Sequence, residues 1–223
     1  MYRIIFLVLT TTLILGCSSK RDILYLQNTP DSYTFQNKID EYKIKADDIL
    51  KISVSSSEPE ASKSLNFTSD FLSNSKETML YSGYQVSKDG QINFPSIGAI
   101  TVTGLTIKQL RKLINDNLKD EGILLDPYVD VKILNSFFTI LGEVNRPGRY
   151  DFLENNLNIF EALGMAGDLT INGKRSGVKI IRNYEGANKI SEFSLTDYDI
   201  LQSEFFQIYS GDIIIVSPNT TRV

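Results

Sequence analysis

The 223-residue chain contains no histidine and no tryptophan, and its single cysteine is Cys17. The absence of histidine removes the commonest general base, the Ser-His-Asp and Cys-His arrangements and every histidine-ligated metal site. Catalysis would have to rest on carboxylates, lysine, tyrosine or serine. One cysteine cannot form an intramolecular disulfide, so the fold is held by burial. After residue 17 no apolar run approaches the roughly 18 residues of a membrane-spanning helix. Positive charge is short as well. The 23 Lys and Arg face 27 Asp and Glu, for a net charge of −4 and no long basic stripe. That balance argues against nucleic acid as a partner. What is present is apolar: 42% hydrophobic residues with 10% aromatics, enough for one large or two small domains.

Residues 1–16 have the layout of a signal peptide. Arg3 and the free amine form a thin basic start, and the apolar stretch Ile4–Leu15 is too short to span a bilayer. Ile14-Leu15-Gly16-Cys17 then resembles a lipobox, where bacterial signal peptidase II cuts ahead of a cysteine bearing diacylglycerol and an N-acyl chain. Cys17 is therefore the expected lipidation site; a Sec signal followed by a chance cysteine is the blander alternative. Residues 17–41 are polar and read as a lipidated tether. No acidic residue directly follows Cys17, which resembles lipoproteins sent to the outer membrane of Gram-negative bacteria. The acidic cluster that marks surface display is also missing. The expected placement is thus lipid-anchored at the outer membrane, body in the periplasm.

Beyond the tether, short alternating segments flank Ala46-Asp47-Asp48, and Ile49–Val54 reads as a half-buried strand. A serine-rich excursion follows, with a short strand expected near Leu65–Thr68. Tyr84–Pro95 reads as a hairpin around Asp89-Gly90, a pair suited to a type I′ turn, and Ile97–Val102 as another strand. Thr106 with Gln109 forms a capping box. Leu110, Leu113, Ile114, Asn117 and Leu118 then mark one helix face. Tyr128–Leu134 returns as a strand. A second unit opens with strand Phe137–Val144 and Asn145-Arg146-Pro147-Gly148, whose Pro and Gly suit a type II turn. Asn158 with Glu161 caps a short helix that ends at Gly167, and Val178–Arg182, Ile190–Leu195 and Ile213–Val216 read as strands. Ile44–Ile52 and Ile208–Val216 echo one another, each placing a tight turn with Asp before an apolar strand. Shared turn chemistry explains this better than duplication.

These stretches together resemble the bacterial polysaccharide export family of outer-membrane lipoproteins. The first unit carries the likeness through Tyr42-x-Ile44-x-x-x-Asp48-Ile49-Leu50-x-Ile52-x-Val54, Val86-x-x-x-Gly90-x-Ile92-x-Phe94-Pro95-x-Ile97-Gly98 and Val102-x-Gly104-Leu105-Thr106. Pro127-x-Val129-x-Val131 completes that unit. The second is similar to the soluble-ligand-binding β-grasp (SLBB) module through Leu141-Gly142-Glu143-Val144-x-x-Pro147-Gly148-x-Tyr150, Glu161-Ala162-Leu163, Ala166-Gly167 and Val178-x-Ile180-x-Arg182. The resemblance implies an α+β chain in two parts. Residues 42–134 would form the export domain, a mixed or antiparallel sheet with one packed helix. Residues 135–216 would form a single β-grasp-like SLBB domain. Family members end in a membrane-crossing amphipathic helix, so 217–223 is expected to be the start of a truncated C-terminal segment.

The implied function is a subunit of a channel passing capsular polysaccharide or exopolysaccharide to the cell surface, with no enzyme activity and no cofactor. Its implied partners are further copies of itself in a homo-oligomeric ring, an inner-membrane polysaccharide co-polymerase and the polysaccharide cargo. A monomeric carbohydrate-binding lipoprotein is the alternative. Three sets of residues compete for other roles. Asp47 and Asp48 would point to opposite faces if on a strand, which disfavours an acid/base couple. Gly142-Glu143-Val144 with Pro147-Gly148 is either a hairpin corner or a sugar-contacting loop. Arg146, Arg149, Lys174 and Arg175 would meet either an anionic polymer or carboxylates of a neighbouring subunit. No catalytic residue and no metal ligand is expected.

Overall fold

A computed structural model describes residues 23–30, 32, 34–35, 41–66, 80–154, 156–184 and 186–219. Two separate apolar clusters organise them. The first gathers around the strand β1 (Ile49–Ser55), where Leu50, Ile52 and Val54 alternate inward. A short helix α1 (Pro59–Lys63) follows. Strands β2 (Tyr84–Gln85) and β5 (Tyr128–Ile133) flank β1 antiparallel, giving a three-stranded sheet. Strands β3 (Gln91–Phe94) and β4 (Gly98–Thr101) form a separate hairpin. Helix α2 (Ile107–Asp120) packs on β5 through Leu110, Ile114 and Leu118. Its capping box is complete: the Thr106 side chain accepts from the Gln109 N–H, and the Gln109 side chain accepts from the Thr106 N–H.

The second cluster belongs to a five-stranded sheet built from β6 (Phe137–Gly142), β7 (Gly148–Asp151), β9 (Ser176–Tyr184), β10 (Ala187–Ser194) and β12 (Ile213–Val216). Its order is β10-β9-β12-β6-β7, and the first and last strands of the unit, β6 and β12, run parallel at the centre. Every other pair in that sheet is antiparallel. This is the β-grasp order, an α+β arrangement in which helix α3 (Ile159–Met165) covers the sheet. A small ribbon pairs β8 (Leu157–Asn158) with β11 (Gln207–Ile208) beside it. The Asn158–Glu161 capping box is formed as well.

Three local expectations are corrected. At Asp89-Gly90 only Gly90 takes a left-handed φ (+77°), so the turn is not type I′. The Ser87 N–H donates to the Gln91 carbonyl (2.8 Å) and the Gly90 N–H to the Ser87 carbonyl (2.9 Å). That is a three-residue loop with a glycine bulge, and the strands then part, β2 going to β1 and β3 to β4. Gly148 has no left-handed φ, so the type II turn is absent. Its place in the ladder opposite Ile140 keeps it extended. Leu65 and Asn66 lie in turns after α1, not in a strand, because Asn66 spends its side chain on Val54: it accepts from the Val54 N–H (2.8 Å) and donates to the Val54 carbonyl (2.7 Å). The rest of that expected strand lies outside the described residues.

Candidate functional site

The echo between the two units is a repeated structural device. Asp47 (φ +68°) and Gly211 (φ +92°) occupy matching left-handed turn positions, each followed by a buried aspartate. The Asp48 carboxylate accepts the Lys45 N–H (2.8 Å), and the Asp212 carboxylate accepts the Tyr209 N–H (2.8 Å). Asp48 also receives the Tyr42 hydroxyl at 3.0 Å. Burial holds the Asp48 carboxyl above its ordinary range, although these donors pull the other way. The Tyr42 phenol is raised by its own burial and by the Asp48 charge. Asn135, at the junction of the units, fastens the first turn by accepting the Ile49 N–H (2.9 Å) and donating to the Asp47 carbonyl (2.9 Å). Asp48 is thus committed to holding its turn, and exposed Asp47 shapes the backbone beside it.

Asp212 has the stronger partner. Arg182 meets it edge-on, Nε to Oδ1 at 2.9 Å and a terminal nitrogen to Oδ2 at 2.7 Å. The two side chains are only 4% and 1% exposed. The guanidinium also donates to the Glu204 and Gln207 carbonyls and lies over the Tyr209 ring. Sequence reading missed this pair. Its signal was there: Val178, Ile180 and Arg182 alternate inward along β9, and an inward cation demands a buried anion.

The loop after β6 is a corner. The Gly142 φ is +91°, and a Cβ there would come within 2.0 Å of the Val216 carbonyl oxygen. The Asn145 and Arg146 N–H groups donate to the carbonyls of Asp168 and Ala166. The Glu143 carboxylate accepts the Thr170 hydroxyl at 2.6 Å. The bonds to Asp168, Ala166 and Thr170 tie the corner to the residues that follow α3, and Gly142 lies against β12, which is what a structural role requires. The basic residues named from sequence go to different partners. Arg146 donates to the Met165 carbonyl, and Arg149 lies over the Phe137 ring (3.6 Å) near Asp151. Arg175 is buried 3.6 Å from Asp168, over the Tyr25 ring. Lys174 is exposed.

Part of the segment expected to be a tether lies against the second cluster. The Leu26 and Gln27 N–H groups donate to the Leu195 and Thr196 carbonyls. The Tyr25 hydroxyl bonds the Asp168 carboxylate, and its ring meets Phe160 edge-on. Phe35 meets Phe206 in the same way. Cys17 lies outside the described residues.

Where the two units meet, a cleft of about 240 Å³ opens. The first unit supplies Tyr42, Arg111 and the start of α2; the second supplies Phe152, Asn156 and Tyr209. Arg111 is held by Asp130 (2.8 Å), and buried Ser136 also lines the cleft. No sequence signal marked this cleft, because its walls come from separate stretches between residues 41 and 210 that only the fold brings together. Among the described residues no group of three or more His, Cys, Asp or Glu could hold a metal ion, and no helix is long and apolar enough to cross a membrane.

An export-type α+β unit joined to a β-grasp unit defines the class. The family model for polysaccharide biosynthesis/export proteins matches residues 36–134, and the model for the SLBB domain matches residues 137–191. The chain belongs to the polysaccharide export family and carries an SLBB domain. Among curated proteins it is similar to the EPS I polysaccharide export outer membrane protein EpsA of Ralstonia solanacearum, 28% identical over 140 residues. That alignment covers 61% of this chain and 36% of the relative. EpsA of Ralstonia nicotianae is 33% identical over 105 residues, 45% of this chain and 27% of the relative. The aligned stretches thus span about a third of the length of those relatives.

Proposed function

We propose that this chain is a subunit of an outer-membrane channel that passes capsular polysaccharide or exopolysaccharide from the periplasm to the cell surface. The observation that carries the reading is the match of both units, in order, to the export and SLBB families, each over its own apolar core. The outer-membrane setting is supported by the names of the two relatives. On this reading Cys17 carries the lipid that anchors the protein, and the body hangs in the periplasm as residues 42–134 and 135–216. A ring of identical subunits forms the conduit, which requires heterologous, closing contacts between copies. The ring's periplasmic end meets an inner-membrane polysaccharide co-polymerase. The polymer passes without cleavage or transfer, in keeping with a chain that has no histidine and uses Asp48 and Asp212 to hold turns.

Deletion of the gene tests the core of this reading. Surface polysaccharide should be lost while repeat-unit synthesis continues, and normal surface polysaccharide would refute it. Cys17→Ser should leave the leader uncleaved, and detergent-extracted wild-type protein should give a native mass of several subunits. A purely monomeric, lipidated protein would refute the ring.

A further inference from the structure

We infer that the cleft between the two units is a subsite for one uncharged pyranose residue of the exported polymer; this rests on the export reading above. Its size is the first argument. At about 240 Å³ it falls below the roughly 300–1,000 Å³ of clefts that hold drug-sized ligands, which suits a single sugar ring. The wall chemistry is the second. Tyr42, Tyr209 and Phe152 give it aromatic surface for the C–H face of a sugar. Asn156, Lys108 and Glu154 bring donors and acceptors to the same space, which the hydroxyls of a pyranose need in both senses.

Charge narrows the ligand. Arg111 is already paired with Asp130 (2.8 Å), and Lys108 shares the walls with Glu41 and Glu154, so a uronate gains no net attraction. The position of the cleft gives it a consequence. Each unit supplies part of the wall, so an occupied cleft holds the export unit and the β-grasp unit in one relative setting. A transit pathway needs contacts weak enough to release the polymer, much as ion conduction needs sites that bind without trapping. Millimolar affinity is therefore expected for an isolated glycoside.

Saturation-transfer NMR on the full-length protein in detergent tests this directly. The probes are the methyl glycosides of glucose, galactose, mannose and N-acetylglucosamine, with methyl glucuronide as the acidic comparison. At least one neutral glycoside should bind at about millimolar Kd. Asn156→Trp, at an exposed position on the cleft wall, should weaken that binding about tenfold or more. Lys108→Glu, exposed in the first turn of α2, should leave the protein folded, since an acidic residue there suits the helix dipole. It should weaken the neutral ligand without creating a preference for the acidic one. Binding of no neutral glycoside, binding unchanged by Asn156→Trp, or a preference of the wild type for methyl glucuronide would each overturn the subsite. Failure of the export reading shows separately, as unchanged surface polysaccharide in the deletion strain.

Discussion

Replacing Arg182 by methionine should destabilise the β-grasp unit while leaving the export unit unchanged. The guanidinium makes four hydrogen bonds: two to Asp212, at 2.9 and 2.7 Å, and one each to the carbonyls of Glu204 (2.9 Å) and Gln207 (2.6 Å). Methionine keeps the length of the apolar stem but supplies none of these donors. Asp212, itself 1% exposed, would retain only the Tyr209 N–H as a donor to its carboxylate while still carrying its charge. Removing one partner of a buried pair typically costs about 3–5 kcal/mol, because the other charge is left uncompensated. Against the roughly 5–15 kcal/mol that stabilises a domain, this is a large fraction.

Urea titration of the full-length protein in detergent should resolve two transitions, since the two apolar clusters share no member. The β-grasp transition should move to lower urea, and the other should stay where it is. A double variant, Arg182→Met with Asp212→Leu, should lose less than the sum of the single losses, because it removes the stranded charge. A shift corresponding to under about 1 kcal/mol for Arg182→Met would refute the reasoning, since that is the range of an exposed pair.

Three further outcomes follow from the geometry. Gly142→Ala forces a left-handed alanine and drives its Cβ into the Val216 carbonyl, so β6 and β12 must separate locally; a loss above about 1 kcal/mol is expected by thermal melting. Tyr25→Ala removes the ring that meets Phe160 edge-on and lies under the Arg175 guanidinium, and should cost about 1–3 kcal/mol and open residues 23–30 to limited proteolysis. Alkali should destabilise the fold: burial raises the Tyr84 phenol to about 12, and raises Tyr25 and Tyr42 further. A raised folded-state pKa means the protonated form is favoured by folding, so that stability is fully present below about pH 10 and is lost as pH climbs through the raised values. Tyrosinate absorbance should therefore show these phenols ionising late, together with loss of near-ultraviolet circular dichroism; ionisation near pH 10 with the fold intact would contradict their burial.

How much of this was legible depended on range along the chain. Both capping boxes were readable because each is a matter of three residues: Thr106 with Gln109, and Asn158 with Glu161. The inward faces of β1 and α2 were readable for the same reason, since periodicity is local. Turn types were less so. Asp89-Gly90 has the composition of a type I′ turn, yet the carbonyl of Gly90 is taken by the N–H groups of Val102 and Thr103, which draws the loop toward the turn after β4. Pro147-Gly148 has the composition of a type II turn, but the corner is tied to the end of α3 and Gly148 is held extended by pairing with β6. In both places a tertiary contact outweighed a preference worth only a fraction of a kcal/mol.

The two aspartate turns show where local reading stops and why. Residues 45–48 and 209–212 could be matched by eye, since in each the aspartate reaches back three residues to a backbone N–H. What distinguishes them arrives from elsewhere. Asp48 takes a neutral phenol six residues earlier, within reach of the same motif. Asp212 takes a guanidinium 30 residues earlier, which only the sheet order β9-β12 brings alongside. The same motif therefore closes with a neutral donor in the export unit and an ion pair in the β-grasp unit. This difference makes an asymmetric prediction. Asp48→Asn retains an acceptor for both the Lys45 N–H and the Tyr42 hydroxyl and leaves no unpaired charge, so it should cost about 1 kcal/mol. Asp212→Asn strands a buried guanidinium and should cost several times more, about 3–5 kcal/mol. Equal losses in urea titration would show that the backbone turn, rather than the partner it recruits, sets the stability of both strands.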